Sequence, residues 1–284
     1  MRATLLLLLA ACSRSPDRHD VGDVAAAAPP VDSAPVAVST VDAAPAMLEG
    51  AWSLDLVAPD GTRLGVASIP VGAREPRPVV VALHGGSDRP EWACSAWRGV
   101  TNGHAFVVCP RGIGADASLA WGALADTKAR IARAVAATRE IHARWMLDAD
   151  PVLVGFSMGA TQAANLAADE PKSHRRIVLA ESSYAPEPIA RFTNPWTKGG
   201  GERVVFLCST PGCGPVYRRA AAEVARRGVP ARLNLAGTMA HGMWPEVIAS
   251  MRRDLPWLVE GLPGWEHFAP PAEETPGKTE LLSP

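Results

Sequence analysis

Runs of apolar residues alternate along most of the chain with segments of helical periodicity. The apolar runs are short and rich in Val, Leu and Ala, which is typical of buried strands. The segment 127–145 instead carries Ile131, Val135, Ile141 and Trp145 at helical spacing. The pattern predicts strands at residues 52–57, 64–71, 78–83, 105–109, 151–154, 176–180, 203–207 and 231–235, and helices at 91–100, 127–145, 160–168, 216–227 and 244–259.

Strands that alternate with helices predict an α/β fold with a mostly parallel sheet of about eight strands, covered by helices on both faces. The first two strands flank Pro59-Asp60-Gly61, a turn signal, and are expected to form an antiparallel hairpin. The segment 182–201 carries Pro and Gly without a clear period. We expect this segment to be irregular and too short for a large helical cap, so that the site stays open.

The two ends of the chain differ in composition from its middle. Arg2 precedes an apolar stretch that ends at Cys12 and is too short to span a bilayer as a helix. The segment after Cys12 is rich in Ala, Pro, Val and Asp without a period, and the C-terminal segment is similarly rich in Pro and Glu. The sequence therefore predicts a targeting segment at 1–12, a disordered tether at 13–47, one folded domain at 48–264 and a disordered tail at 265–284.

Cys12 follows Leu9-Ala10-Ala11, and this tetrapeptide resembles the lipobox of bacterial lipoproteins, whose Cys is lipidated after cleavage. The resemblance implies a protein attached by lipid to a membrane of the bacterial cell envelope, facing outside the cytoplasm. A plain secretory signal with an incidental Cys is the alternative.

Composition excludes some partners and suggests two disulfides. The 284 residues carry a net charge of −1 and no basic block, so nucleic acid is not an expected partner, and the oligomeric state stays open. Beyond Cys12 four cysteines remain, an even number that favours disulfides in an exported protein. Of the three possible connectivities we favour Cys208–Cys213 and Cys94–Cys109. A metal site is disfavoured because no Cys-x-x-Cys pair occurs.

Gly155-Phe156-Ser157-Met158-Gly159 directly follows the predicted strand at 151–154 and precedes a predicted helix. A Ser between two glycines at a strand-to-helix turn is the pattern of a nucleophile elbow, in which the Ser hydroxyl projects free of the sheet. The glycines two positions before and after it leave no Cβ to crowd the neighbouring strand and helix. A chance occurrence in an Ala- and Gly-rich sequence is the alternative, which the flanking strand and helix disfavour.

The element order over residues 50–262 resembles the α/β-hydrolase superfamily, in particular serine esterases of the dienelactone hydrolase and carboxylesterase type. The specific motifs are the elbow, Leu83-His84-Gly85-Gly86 and Ala240-His241-Gly242. The resemblance implies an oxyanion hole made by the N–H of Met158 and a second N–H from Gly86, with Ser87 as the alternative donor. It also implies that His84 is a structural anchor of this loop.

His241 is the predicted general base for Ser157. It follows the last predicted strand in a small, flexible loop, at the carboxyl edge where ligands bind in such sheets. Its position also fits the chain order of nucleophile, acid and His that the family shows. The remaining histidines lie in the predicted tether, near the tail, on a helix or at the opposite sheet edge: His19, His267, His142, His104 and His174.

The catalytic acid departs from the family pattern. Its usual loop, residues 208–214, contains no Asp or Glu. Some members carry the acid after the preceding strand, where this chain has Glu181, so Glu181 is the predicted acid. Glu246, five residues after His241, is the alternative carboxylate, and a structural role for Glu181 also stays open.

Four of the nine tryptophans lie close to the presumed site along the chain. Trp92, Trp97, Trp121 and Trp244 follow the oxyanion strand, the fourth strand or His241, and are candidates for a pocket around the substrate. Packing in the core is the alternative and the more common role of a Trp side chain.

These observations together predict a serine hydrolase that cleaves small-molecule carboxylic esters through an acyl-enzyme, with no metal or organic cofactor. The alternatives are a serine peptidase of the same fold and a catalytically silent binding protein of the cell envelope. The missing acid in the usual loop favours the silent protein, because loss of the acid costs about four orders of magnitude in turnover.

Overall fold

A nine-stranded sheet forms the centre of the computed structural model, which describes residues 46–116, 118–182, 186–273 and 275–284. Numbered along the chain, its strands are β1 (Ser53–Val57), β2 (Arg63–Ser68), β3 (Val79–Leu83), β4 (Phe106–Pro110), β5 (Val152–Phe156), β6 (Arg176–Ala180), β7 (Arg203–Cys208), β8 (Ala231–Leu235) and β9 (Lys278–Leu282). The helices are α1 (Pro90–Val100), α2 (Leu124–His142), α3 (Met158–Asp169), α4 (Pro186–Lys198), α5 (Cys213–Arg226) and α6 (Pro245–Val259), and a single 3₁₀ turn, Ala143–Trp145, follows α2.

The strands lie in the order β1-β2-β4-β3-β5-β6-β7-β8-β9. Strands β3 to β8 run parallel, while β1, β2 and β9 pair antiparallel with their neighbours. Helices α1 and α6 pack together on one face, and α2, α3, α4 and α5 form the layer on the other. This arrangement confirms the predicted α/β fold and the mostly parallel sheet flanked by helices.

Local sequence explains the central elements. All five residues of β3 are apolar and buried, as a strand covered on both faces requires. At the predicted hairpin turn, the Thr62 N–H donates to the Asp60 side chain at 2.9 Å, and Gly61 adopts a φ of +82°. Asp and Gly thus supply the side-chain acceptor and the positive φ that this turn needs.

The segment 182–201 is more regular than predicted. Residues Pro186–Lys198 form α4, whose Ile189, Phe192 and Trp196 are buried at helical spacing. The Trp196 Nε1–H also donates to the His174 carbonyl at 2.7 Å. Pro186 and Pro188 lie in the first turn of α4, where the N–H groups have no helical partner, whereas Pro195 lies inside the helix. The Pro content alone therefore underestimated this helix. Helix α4 packs beside α3 and α5.

The predicted disorder of the tail, residues 265–284, is wrong for its last part. Lys278–Leu282 forms β9, which pairs antiparallel with β8 and adds the ninth strand. Gly277 makes the approach possible, because a Cβ at this position would meet the Leu235 carbonyl. Asp254 on α6, buried from solvent, accepts a hydrogen bond from the Thr279 hydroxyl at 2.7 Å. Residues 278–282 therefore form a strand because they pair with the free edge of β8, although their composition does not indicate one.

Both predicted disulfides are present. Cys94 on α1 is bonded to Cys109 on β4, with 5.7 Å between the two Cα atoms. Cys208 at the end of β7 is bonded to Cys213 at the start of α5, with 5.6 Å between the Cα atoms. The second disulfide closes a small loop at the carboxyl edge of the sheet, where the site lies.

Cys12 and nearly all of the predicted tether lie outside the described residues. No helix within residues 46–116, 118–182, 186–273 and 275–284 is long and apolar enough to cross a membrane.

Candidate active site

Ser157 lies on a strained turn between β5 and α3. Its φ of +54° and ψ of −119° are unusual for a residue with a side chain. A Cβ at Gly155 would meet the backbone of Gly159, and a Cβ at Gly159 would meet the carbonyl of Leu83. The two glycines therefore permit the close packing of strand, turn and helix that places Ser157, half-exposed, at the carboxyl edge of the sheet.

Two free N–H groups are available next to Ser157. Met158 is the first residue of α3, so its N–H has no partner within the helix. The Gly86 N–H donates to no acceptor among the residues that the structure describes. A Cβ built on Gly86 would lie 2.9 Å from the Met158 Cε, so the two residues are adjacent. They can form the two donors of an oxyanion hole.

Ser87, the alternative second donor, is not available. Its N–H donates to the Leu119 carbonyl at 2.7 Å. This hydrogen bond holds the loop after β3 in place, whereas the Gly86 N–H has no acceptor within the described part of the chain. Of the two candidate donors, Ser87 therefore already has an acceptor.

His84 anchors the loop that follows β3. Its ring is fully buried, with Nε2 accepting the Gly112 N–H at 3.0 Å and Nδ1 lying 2.7 Å from the Gly85 carbonyl. Because Nε2 accepts, the proton must be on Nδ1, which donates to Gly85. Burial lowers the pKa of His84, which keeps the ring neutral and this tautomer in place. The Trp121 Nε1–H donates to the His84 carbonyl at 2.8 Å and supports the same loop.

His241 lies in the loop after β8, close to the elbow. Its ring centroid is 4.8 Å from that of Phe156, the residue before Ser157. The loop is held by two backbone hydrogen bonds to the neighbouring strand end, from Ala236 to Cys208 and from Met239 to Ser209, both 2.7 Å. His241 is partly exposed and borders a cavity beside the elbow. The predicted base therefore lies at the same edge of the sheet as the predicted nucleophile.

Glu181 is the carboxylate that faces His241. Its Oε2 lies 3.6 Å from the His241 Nδ1, and its side chain is fully buried. This distance is longer than the 2.6–3.2 Å expected for a catalytic hydrogen bond, which is commonly looser before substrate binds. Glu246, the alternative acid, is exposed in the first turn of α6. The structure thus pairs His241 with the carboxylate after β6.

The loop closed by Cys208–Cys213 supplies donors to Glu181. The N–H groups of Ser209 and Thr210 both donate to Oε1, the second at 3.1 Å, and the Thr210 hydroxyl donates to Oε2 at 2.7 Å. Burial raises the pKa of Glu181, but its interactions with His241, Ser209 and Thr210 outweigh burial and hold the pKa below its ordinary value. Glu181 is therefore held ionised in a buried position.

Sequence reasoning missed these supporting residues. Glu181 itself adopts a φ of +58°, and Ser182 after it donates its N–H to the Tyr217 hydroxyl at 2.8 Å. Tyr217, buried on α5, in turn donates to the Ser182 hydroxyl at 2.9 Å. The loop 208–214, which contains no Asp or Glu, thus provides the hydrogen-bond donors for Glu181 at the end of β6. Cys208 and Cys213 were the one signal in the sequence that this loop is constrained.

An aromatic cavity of about 530 Å³ opens beside the site. It is bordered by Gly86, Ser87 and Asp88 in the loop after β3, by the first turns of α1, by Phe156 and by the loop that carries His241. Three of the four tryptophans proposed for a pocket line it, namely Trp92, Trp97 and Trp244, whereas Trp121 supports His84 from outside it. Trp97 is buried, while the Trp92 and Trp244 side chains are 61% and 47% exposed.

The other described histidines lie away from this edge. His104 bonds through Nε2 to the Gly264 carbonyl at 2.7 Å, and His174 is buried before β6. Within the described part of the chain no group of three or more His, Cys, Asp or Glu side chains has an arrangement that could hold a metal ion.

Comparison with known proteins identifies the fold. A sequence profile described as alpha/beta hydrolase fold matches residues 78–270, which is more than half of the chain. No significant match was found among curated protein sequences.

Solved structures match this chain at low sequence identity. An uncharacterized protein from Bacillus cereus ATCC 10987 matches at 11% identity and a TM-score of 0.51, over 66% of this chain and 61% of its own, so this chain spans less than two thirds of its length. A carboxylesterase from Mesorhizobium loti matches at 19% identity and a TM-score of 0.44, over 64% of this chain and 89% of its own. A Bacillus cereus carboxylesterase matches at 13% identity and a TM-score of 0.44, over 62% and 86%.

Proposed function

The chain belongs to the alpha/beta hydrolase fold family, and on this premise we propose that it is a serine hydrolase that cleaves carboxylic esters through an acyl-enzyme. One observation carries the proposal. The buried carboxylate of Glu181 lies 3.6 Å from the His241 Nδ1, at the edge of the sheet where Ser157 occupies a strained elbow. A Ser, a carboxylate and a His in this order along the chain, at one sheet edge, are the parts that nucleophilic catalysis needs.

The first half of the reaction is acyl transfer to the protein. The His241 Nε2 takes the proton of the Ser157 hydroxyl as Oγ forms a bond to the ester carbonyl carbon. The negative charge that develops on the carbonyl oxygen is stabilised by the N–H groups of Met158 and Gly86. When the bond from carbon to the alcohol oxygen breaks, His241 gives its proton to that oxygen, and the alcohol leaves.

The second half returns the protein to its starting state. Water replaces the alcohol, His241 takes one of its protons, and the water oxygen attacks the acyl carbon. The bond to the Ser157 Oγ then breaks, Oγ regains a proton from His241, and the carboxylic acid is released. These steps require only protein groups and water.

Glu181 orients His241 during both halves. An ionised carboxylate at Nδ1 favours the tautomer with its proton on Nδ1, which leaves Nε2 free to act as the base. It also stabilises the imidazolium that forms after each proton transfer. The lowered pKa of Glu181 supports this role, because the carboxylate is then charged at neutral pH.

We propose in addition that the protein acts at the bacterial cell envelope. The lipobox-like Leu9-Ala10-Ala11-Cys12 supports a lipid anchor at Cys12. Two disulfides in the folded part are consistent with an oxidising compartment.

Hydrolysis of matched esters and amides tests the proposed function. We expect the purified protein to hydrolyse short-chain esters, such as propyl acetate, and to leave the corresponding amides and unstructured peptides intact. His241→Gln should abolish hydrolysis, while His267→Gln, which changes an exposed His, should not. Peptide cleavage would move the assignment to a peptidase, and a folded protein without activity on either class would indicate a silent binding protein.

A further inference from the structure

We propose that the cavity lined by Trp92 and Trp244 binds the alcohol part of the substrate, and that it favours esters of alcohols that carry an aromatic ring. This inference rests on the proposed esterase function and specifies the part of the ester that the protein selects. It depends on where the cavity lies relative to His241, on the chemistry of its walls and on the fixed orientation of its exposed rings.

The position of the cavity assigns it to the leaving alcohol. His241 must give its proton to the alcohol oxygen, so this oxygen lies next to the His241 ring when the ester bond breaks. One wall of the cavity is formed by the loop segment His241, Gly242, Met243 and Trp244. The group attached to the leaving oxygen therefore starts at this wall, while the carbonyl oxygen points to Gly86 and Met158.

The walls favour an apolar group. Most side chains of the lining are apolar, with Ala93, Trp97, Phe156 and Met243 among them, and the polar ones are Ser87, Asp88 and His241. Asp88 also lines the cavity, and its carboxylate accepts the N–H of Arg89 at 2.7 Å and the N–H of Gly85 at 3.3 Å. A hydrocarbon ring against the apolar part of the walls would lose contact with water.

Two exposed aromatic rings at the cavity mouth are held in place. The Trp244 Nε1–H donates to the Ala240 carbonyl at 2.8 Å, and the Arg89 guanidinium carbon lies 5.4 Å from the centre of the Trp92 ring. Large aromatic side chains that stay 47% and 61% exposed leave apolar surface in water until a partner covers it. Because the rings are already oriented, binding a flat group against them requires little further ordering.

Two matched pairs of esters separate the alcohol part from the acyl part. In one pair, propyl acetate and 3-phenylpropyl acetate, the ring is added to the alcohol at a distance that leaves its acidity nearly unchanged. In the other, ethyl butanoate and ethyl 4-phenylbutanoate, the ring is added to the acyl chain. We expect the ring on the alcohol to raise kcat/KM by roughly tenfold to one-hundredfold, and the ring on the acyl chain to raise it much less.

Variants test whether the tryptophans cause this preference. Trp92→Ala and Trp244→Ala should each reduce the ratio of kcat/KM between the two acetates by several-fold. Trp52→Ala is the matched control, since Trp52 is 49% exposed, is contacted by Arg98 at 5.2 Å and lies outside the cavity lining. It should leave the ratio unchanged.

Three results would overturn the assignment. The ring could raise kcat/KM more on the acyl chain than on the alcohol, or the ratio between the two acetates could stay unchanged in both Trp92→Ala and Trp244→Ala. The third result is a reduction of this ratio in Trp52→Ala as large as in the two cavity variants. All three can occur in a protein that hydrolyses propyl acetate through Ser157, and then only the alcohol assignment fails. If no ester is hydrolysed at all, the proposed function fails with it.

Discussion

Replacing Glu181 by Gln removes one negative charge and keeps the shape of the side chain. The surrounding donors decide how the new amide must lie. At the Oε1 position two N–H groups, from Ser209 and Thr210, demand an acceptor, so the amide oxygen should take this place. The amide NH₂ then takes the Oε2 position, where it faces the His241 Nδ1. The variant thus presents a donor where the wild-type protein presents an acceptor.

The amide orientation fixes the size of the expected effect. A donor at Nδ1 favours the His241 tautomer with its proton on Nε2, and this tautomer cannot accept the Ser157 proton. Loss of the correct tautomer lowers turnover by about four orders of magnitude in a triad, which corresponds to about 5.5 kcal/mol of transition-state stabilisation. KM should change little, because the Glu181 side chain is fully buried and out of reach of a substrate.

Steady-state kinetics on propyl acetate, with thermal unfolding as a check of folding, provides the assay. Glu246→Gln is the matched control, because it makes the same chemical change at an exposed carboxylate of α6. It should retain wild-type kcat. A Glu181→Gln variant that folds and keeps kcat within tenfold of wild type would refute the assigned role, and an equal loss in Glu246→Gln would transfer it.

Three other predictions concern the same edge of the sheet and the chain's anchor. Substituting Cys208 and Cys213 together by Ser should lower kcat more than it raises KM, because the loop that donates to Glu181 loses its closure; unchanged kcat would contradict this. Because the pKa of Glu181 is lowered in the folded state, its contribution to stability is present above the ordinary value of 4.5 and is lost as the pH falls through the folded-state pKa; chemical denaturation should show the stability difference between wild type and Glu181→Gln shrinking in acid. Finally, Cys12→Ser should abolish the lipid mass shift and detergent partitioning of the protein expressed in bacteria, and soluble, unmodified wild type would argue against an anchor.

The parts of the fold that depend on local sequence could be predicted. The elbow is an example, because the apolar run of β5, two glycines and one Ser are contiguous along the chain. Strand β9 and helix α4 could not be predicted in this way. Strand β9 exists because β8 offers a free edge, and α4 exists because Ile189, Phe192 and Trp196 pack against the layer beside it.

The site shows the same division. Ser157 and His241 could be predicted from their motifs and their positions after predicted strands. The sequence alone did not distinguish Glu181 from Glu246 as the acid, because the distance of Glu181 to His241 depends on the turn after β6. Thr210 was not predicted at all, because its hydroxyl reaches Glu181 only through the pairing of β6 with β7 and the closure of the Cys208–Cys213 loop. Such contacts between distant segments are set by the whole fold.

Covalent labelling of Ser157 tests the central claim most directly. A fluorophosphonate reacts with a Ser hydroxyl only where a neighbouring base and an oxyanion hole activate it. We predict a single adduct on the intact protein, located at Ser157 by peptide mass mapping, with none on Ser157→Ala and much slower formation on His241→Gln. Labelling that persists in folded Ser157→Ala, or folded wild-type protein that fails to react, would contradict the account.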